Sequence, residues 1–344
     1  MSLLVDRDQQ FLEAVRLIAD EVAGRHAGEV DRDARFPSEA IDALRECHAL
    51  SALVPEGLGG GGVSLPAVAR GCFELGRRCA ASAMVFAMHQ IQVGTIARHL
   101  DGAAWFEAYL GELVREQRLI ASVTSEIGTG GDMGRSIAAV VPGKDGLMRL
   151  EKQAPTVSYG AHCDDLFTTV RRSEQAEPGD QVLVLSRATE TELEPVGTWD
   201  TIGMRGTCSP GFVVRARFGP EQVVTAPFST VMNESLVPLS HILDVVGILP
   251  HARYVVYFSI EPDWWDSVDM ADALHPQTLV TYGMNGSDLP VGHGGPLRLR
   301  VPRQLGYKNV KYITRLTVTD DLKQFGAGLG SASPEGGYAW YAGI

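Results

Sequence analysis

Apolar residues recur at helical spacing through the first third of the chain. Phe11, Val15, Ile18 and Val22 are separated by four, three and four positions, which predicts an amphipathic helix over 7–26. Pro37 and Ser38 open a second helix, with Ile41 and Leu44 facing inward. Ser64 has the chemistry of an N-cap, Pro66 suits a first turn, and Val68, Cys72, Leu75 and Cys79 make the apolar stripe of a third. Residues 82–100 are apolar on most sides, which predicts a helix at the centre of a bundle. His89 and Gln90 inside it read as core polar groups with local partners, the alternative being the wall of a cleft. Trp105, Phe106, Tyr109, Leu110 and Leu113 mark a fifth helix.

From Leu119 the period shortens. Segments near 119–125, 137–142, 147–151, 166–171, 181–186 and 212–218 are rich in β-formers and separated by Gly, Pro and Asp, which predicts a small barrel or sandwich. After about residue 253 the pattern is strand-like again. The candidates are 254–260, 278–282, 296–301 and 311–319, with a turn or two of helix over Met270–Leu274 and a type I′ hairpin signal at Asn285-Gly286. The class this implies is α+β and multidomain: an N-terminal helical domain, a middle β-barrel or sandwich domain, then a partial β-sandwich.

A formal net charge of -12 excludes a general nucleic-acid binder, because phosphate binding requires a cationic surface. No apolar run reaches the roughly 20 residues of a membrane helix, and the N-terminus lacks a signal-peptide pattern. Cys47, Cys72, Cys79, Cys163 and Cys208 are odd in number with no Cys-x-x-Cys spacing, which fits a reduced cytoplasmic compartment. Cys72 and Cys79 lie two helical turns apart on one face and read as packing. The glycine-rich stretch Pro55–Gly62 lacks the Gly-Lys-Ser/Thr of a phosphate loop and reads as a turn.

The chemistry begins at Thr124-Ser-Glu-Ile-Gly-Thr-Gly-Gly-Asp132, a hydroxyl- and glycine-rich loop directly after a strand. Such a loop brings backbone N–H groups close to a ligand. Thr156-Val-Ser-Tyr-Gly-Ala-His162 and Trp199-Asp-Thr-Ile-Gly-Met-Arg-Gly-Thr207 follow in order. Together with Pro55-Glu-Gly-Leu-Gly-Gly60, these elements make residues 1 to about 235 resemble the flavin-dependent acyl-CoA dehydrogenases. Ser125-Glu-Ile-Gly-Thr-Gly-Gly-Asp132 aligns with the family's Thr-Glu-Pro-Gly-Ala-Gly-Ser-Asp, Thr156-Val157-Ser158 with its Trp-Ile-Thr, and Ile202–Gly206 with its Leu-Gly-Met-Arg-Gly. The resemblance implies a helical domain over 1–118 and a β domain over 119–235. It implies FAD held by Val123, Thr124, Ser125, Gly130, Gly131, Thr156, Val157 and Ser158, and an acyl-CoA-like substrate. Ser125, Gly131 and Thr156 depart from the family's Thr, Ser and aromatic residue.

In that family α,β-dehydrogenation needs a carboxylate base from a C-terminal helical domain, which also completes the flavin pocket and the homo-oligomer. No comparable helical stretch follows here, and no catalytic residue is nominated. Residues 236–253 read instead as a seam, with a join near 236–243. Residues 237–344 resemble the end of the sulfite oxidase-like molybdopterin domain, through Tyr282-Gly-Met-Asn-Gly-Ser-Asp-Leu-Pro-Val-Gly-His293, Gly294-Gly-Pro-Leu-Arg298 and Asn309-Val-Lys-Tyr-Ile-Thr-Arg315. This second resemblance implies a partial β domain over 254–344 and pterin contacts at His293, Arg298, Asn309, Val310 and Lys311, with an acidic contact inside Asp263-Trp-Trp-Asp266. Arg and Lys suit an anionic phosphate. The family's molybdenum ligand is a Cys thiolate, and no cysteine follows Cys208, so no metal site is expected.

The leading expectation is a fused acyl-CoA dehydrogenase-like oxidoreductase of impaired activity. The alternatives are a molybdopterin-dependent enzyme completed by a second chain, a non-catalytic flavin- or CoA-binding module, and a join without selected function.

Overall fold

A computed structural model describes residues 6–240, 253–275, 277–285 and 287–341. The chain divides into two compact units, residues 1–247 and 248–344. Most of the expected seam, 241–252, lies outside the described residues, as does Gly286 of the expected hairpin turn.

The first unit opens with α1 (Asp6–Ile18), which continues through a wide turn at Ala19–Ala23 into α2 (Gly24–Arg32). The helical run thus outlasts the predicted end at 26, because Val30 supplies one more buried position. Next come α3 (Ser38–Glu46), α4 (Leu65–Gly76), α5 (Ala80–Arg98) and α6 (Ala104–Glu116). Ser64 caps α4 as its chemistry requires, its hydroxyl accepting from Ala67 N. Cys72 and Cys79 are buried. The glycine-rich Pro55–Gly62 stretch is a tight turn, where a Cβ on Gly60 would sit 2.3 Å from Val54.

Helix α5 is the buried centre of this part. His89 is fully buried with both ring nitrogens satisfied: Nε2 lies 2.8 Å from Leu50 O and Nδ1 accepts from Ile120 N at 3.1 Å. That pairing makes it the neutral Nε2–H tautomer, a brace between α5 and the strand that follows. Gln90 donates to Ala49 O and Leu50 O. Both are core groups with local partners.

The strands of this unit are β1 (Ile120–Val123), β2 (Val141–Pro142), β3 (Met148–Ala154), β4 (Asp165–Arg171), β5 (Gln181–Arg187), β6 (Thr191–Val196) and β7 (Gly211–Phe218). They form two sheets, β1-β4-β5 and β2-β3-β7-β6, with β1 and β4 parallel. Leu166, Val170 and Val184 from one sheet and Leu150, Val214 and Phe218 from the other share one hydrophobic core. Of the two expected forms this is the sandwich. No closed barrel exists among the described residues. The short helices α7 (Phe228–Val231) and α8 (Val237–Ser240) follow.

The second unit carries β8 (Tyr254–Ser259), β9 (Trp265–Asp269), α9 (Met270–Ala273), β10 (Leu279–Thr281), β11 (Gly283–Met284), β12 (Ser287–Asp288), β13 (Arg298–Arg300), β14 (Ile313–Thr319) and α10 (Ala332–Glu335). The sheet order is β14-β8-β9, with separate pairs β10-β13 and β11-β12. Its own core gathers Tyr257, Val268, Leu299, Val301, Val310 and Ile313. The expected β-rich second part and the multidomain α+β class both hold.

Candidate functional site

In the first unit the site grows from the end of β1. Val123 is buried, and Thr124 and Ser125 lead into the loop. Glu126 turns inward and clips the loop at its far end, accepting from Ser136 Oγ at 2.6 Å and Ala138 N at 2.6 Å. The segment between is held outward. Gly128, Gly130 and Gly131 have φ of 93°, 64° and 86°, the left-handed region that favours glycine. Space beside Gly130 and Gly131 is open, with nothing within 4 Å of an added Cβ. Ile127, Met133 and Ile137 are each more than half exposed on this loop.

The second segment meets the first directly. Ser125 Oγ donates to Thr156 O at 2.8 Å across 31 residues of chain. Val157 is buried and holds the segment down, its N–H bonding Pro210 O at 3.0 Å. The third segment meets the second: Tyr159 N donates to Thr207 O at 2.8 Å, and Ser209 Oγ donates to Ser158 Oγ at 3.1 Å. Gly206 lies so close to the helices that a Cβ there would be 2.3 Å from Val30 Cγ1. The structure therefore brings Val123, Thr124, Ser125, Thr156, Val157 and Ser158 together, with Gly130 and Gly131 at the open end of the adjoining loop.

Lys152 is the residue that sequence reasoning missed. It is 1% exposed, and its ammonium donates to Thr124 O at 3.1 Å, Thr169 O at 2.7 Å and Thr169 Oγ1 at 2.9 Å. Glu126 lies 3.7 Å away. Burial pulls its pKa down to about 8, against the opposing pull of Glu126. A signal was present: Leu150, Lys152 and Ala154 alternate on the inward face of β3. Glu126, the carboxylate inside the loop, is committed to this internal network and is largely buried.

In the second unit, His293 is exposed and its carbonyl accepts from Arg298 Nη1 at 2.9 Å. Lys311 Nζ donates to Gly292 O at 2.9 Å, and Arg298 and Lys311 form an antiparallel bridge. Gly294, with φ 103°, is required there, since a Cβ would lie 2.7 Å from Lys311 Cγ. Among the described residues neither Arg298 nor Lys311 has a carboxylate within ion-pair distance, so their charges are available to an anion. The Asn309 side chain is spent on the backbone: Oδ1 accepts from Val301 N at 2.6 Å and Nδ2 donates to Leu305 O at 3.1 Å. Val310 is buried core. Asp266 is also committed internally, to Lys308 Nζ at 2.6 Å. Among the described residues no group of three or more His, Cys, Asp or Glu side chains could hold a metal ion. Cys208 belongs to the first unit, and the second contains no cysteine.

Residues 6–115 match the family model "Acyl-CoA dehydrogenase, N-terminal domain", and residues 223–325 match "Oxidoreductase molybdopterin binding domain". The chain thus joins a region similar to the N-terminal domain of acyl-CoA dehydrogenases to one similar to the molybdopterin-binding domain of oxidoreductases. YdbM of Bacillus subtilis, named for an acyl-CoA dehydrogenase, is 28% identical over 273 residues, 76% of this chain and 69% of its own. YedZ1 of Azospira oryzae, named for a protein-methionine-sulfoxide reductase subunit, is 40% identical over 116 residues, 34% of this chain and 42% of its own. The chain thus spans well under two thirds of that relative.

Among solved structures, FMN-bound TdsC of Paenibacillus has a TM-score of 0.57 at 20% identity, covering 64% of this chain and 55% of that one. Butyryl-CoA dehydrogenase of Megasphaera elsdenii has 0.56 at 17%, covering 66% and 60%. At such identity the likeness is one of fold. Among the described residues no helix is long and apolar enough to cross a membrane.

Proposed function

We propose that the first unit is a flavin-binding oxidoreductase scaffold of acyl-CoA dehydrogenase type. Thr124, Ser125, Thr156 and Ser158 would line the flavin ring, with Val123 and Val157 buried beneath them as support rather than as contacts, and Gly130 and Gly131 let the backbone approach the ligand. The observation that carries this reading is the Ser125–Thr156 hydrogen bond, which joins two of the segments a flavin would have to touch. The hydroxyls of Thr124 and Ser158 and the open space beside the two glycines fit a flat, polar-edged group. The flavin is FAD, and an acyl thioester is the substrate class. Bound flavin would supply the redox step. What the chain's own residues supply is orientation, through the loop clipped by Glu126 and Lys152.

The chain is impaired in dehydrogenation. The step needs a base within reach of the α-proton, and Glu126 is spent on the loop itself. In the second unit, Arg298 and Lys311, with His293 beside them, hold the phosphate of a pterin cofactor, while the unit has no thiolate to offer molybdenum.

The test is to incubate purified protein with FAD and with FMN, remove free ligand, identify what remains by mass spectrometry, and then add acyl-CoA without oxygen. Retained FAD that an acyl-CoA does not bleach supports the reading. Retention of FMN alone overturns the cofactor, bleaching overturns the impairment, and retention of neither overturns the site.

A further inference from the structure

The loop between β8 and β9 and the segment around α10 enclose a cavity of about 220 Å³ in the second unit, apart from the His293–Lys311 cluster. Trp264, Trp265, Tyr307 and Tyr338 line it, together with Asp263 and Asp266. Tyr307 and Tyr338 stand 4.9 Å apart at 40°, and Trp265 is fixed from behind by stacking on Phe258 at 5.8 Å. Trp264 and Tyr338 are 52% and 60% exposed, an unusual surface position for two large rings in one small hollow.

The polar groups of this cavity are mostly spent. Asp266 is neutralised by Lys308 and also accepts from Ser267 N and Ser333 Oγ. The Tyr307 hydroxyl donates to Ala339 O at 2.7 Å. What is left is aromatic surface and one carboxylate, Asp263, which has no cationic partner among the described residues.

That balance selects a ligand class. A divalent metal needs several oxygen ligands, and one carboxylate cannot supply them. A nucleotide or other drug-sized ligand needs a pocket of roughly 300–1,000 Å³, larger than this one. A primary ammonium requires hydrogen-bond acceptors for three N–H groups, and the one unspent carboxylate, Asp263, does not meet all three. An alkylated ammonium requires none. Its charge is spread over a methyl surface that packs on ring faces and is drawn by their quadrupoles and by a nearby carboxylate. We infer that this aromatic hollow is a binding site for a small quaternary ammonium group, with Trp264 and Tyr338 as its walls and Asp263 as its counter-charge.

The experiment titrates the full chain with choline and, separately, with its uncharged isostere in which carbon replaces the quaternary nitrogen, followed by calorimetry and tryptophan fluorescence. Choline is expected to bind at least about tenfold more tightly than the isostere, and Trp264→Ala and Asp263→Asn are each expected to weaken it about five- to tenfold. If Trp264→Ala does not fold, Tyr338→Leu tests the same wall. Equal binding of choline and the isostere, absence of choline binding, or unchanged affinity in the folded variants would each overturn the assignment.

Discussion

The Lys152 ammonium lies inside the middle β sandwich and donates to the Thr124 carbonyl, 28 residues earlier in the chain, at 3.1 Å. It anchors the first residue after β1, while Glu126, its ionic neighbour at 3.7 Å, anchors the far end of the same loop. The outward-facing glycines are held between these two anchors. Lys152→Met removes three hydrogen bonds and leaves Glu126 buried without a counter-charge, which should cost roughly 3–5 kcal/mol. Urea unfolding measures the loss, and flavin titration of the folded fraction should show weaker binding.

His89 predicts a pH dependence. Burial lowers its pKa to about 4, and its Nδ1 must stay unprotonated to accept from Ile120 N. A base with a depressed folded pKa stabilises fully above its unfolded value near 6.5, and that stability is lost as pH falls toward 4. At about 1.4 kcal/mol per unit, the loss should reach roughly 3 kcal/mol. His89→Gln should flatten this part of the stability profile between pH 6.5 and 4, as measured by the difference between urea midpoints of the two proteins.

Asp266 and Lys308 form the buried ion pair of the second unit, at 2.6 Å with both side chains almost fully covered. Lys308→Met leaves the carboxylate uncompensated and should destabilise the unit by roughly 3–5 kcal/mol. Adding Asp266→Asn in the same chain should recover part of that loss. Thermal unfolding of the two variants beside the wild type checks both signs.

These two internal pairs mark where the sequence stopped being legible. Elements with periodic apolar faces and strong caps were readable, as Ser64 with Val68, Cys72 and Leu75 illustrates. β9 was not, because Trp265-Asp-Ser-Val-Asp269 looks solvated until Lys308, some forty residues later, neutralises Asp266. β6 escaped because Glu192, Glu194 and Pro195 argue against a strand. It is an edge strand, where Pro is tolerated, and its glutamates pair with Arg215 on β7. The three loops singled out by motif order lie side by side, bonded through Ser125–Thr156 and Tyr159–Thr207, but a lysine in a strand reads as solvent-facing, so the Lys152 anchor stayed hidden. Asn309 looked like a ligand contact, whereas its side chain closes its own loop.

Arg298 and Lys311 predict anion binding in the second unit. Inorganic phosphate, followed by phosphorus NMR, should bind in a salt-sensitive manner. Arg298→Ala and Lys311→Ala should each weaken it by about ten- to a hundredfold, in line with roughly 1.5–3 kcal/mol for a hydrogen bond to a charged group. Arg298→Lys should recover only part, because the planar fork is lost.

The most direct measurement of the central claim is the ratio of flavin to protein after reconstitution of the full chain and gel filtration, with Gly131→Val beside the wild type. The loop account predicts one flavin per wild-type chain and a ratio near zero for the variant, whose side chain would both strain a positive φ and fill the open approach. A colourless wild-type protein, or a variant that retains flavin as fully as the wild type, would contradict it.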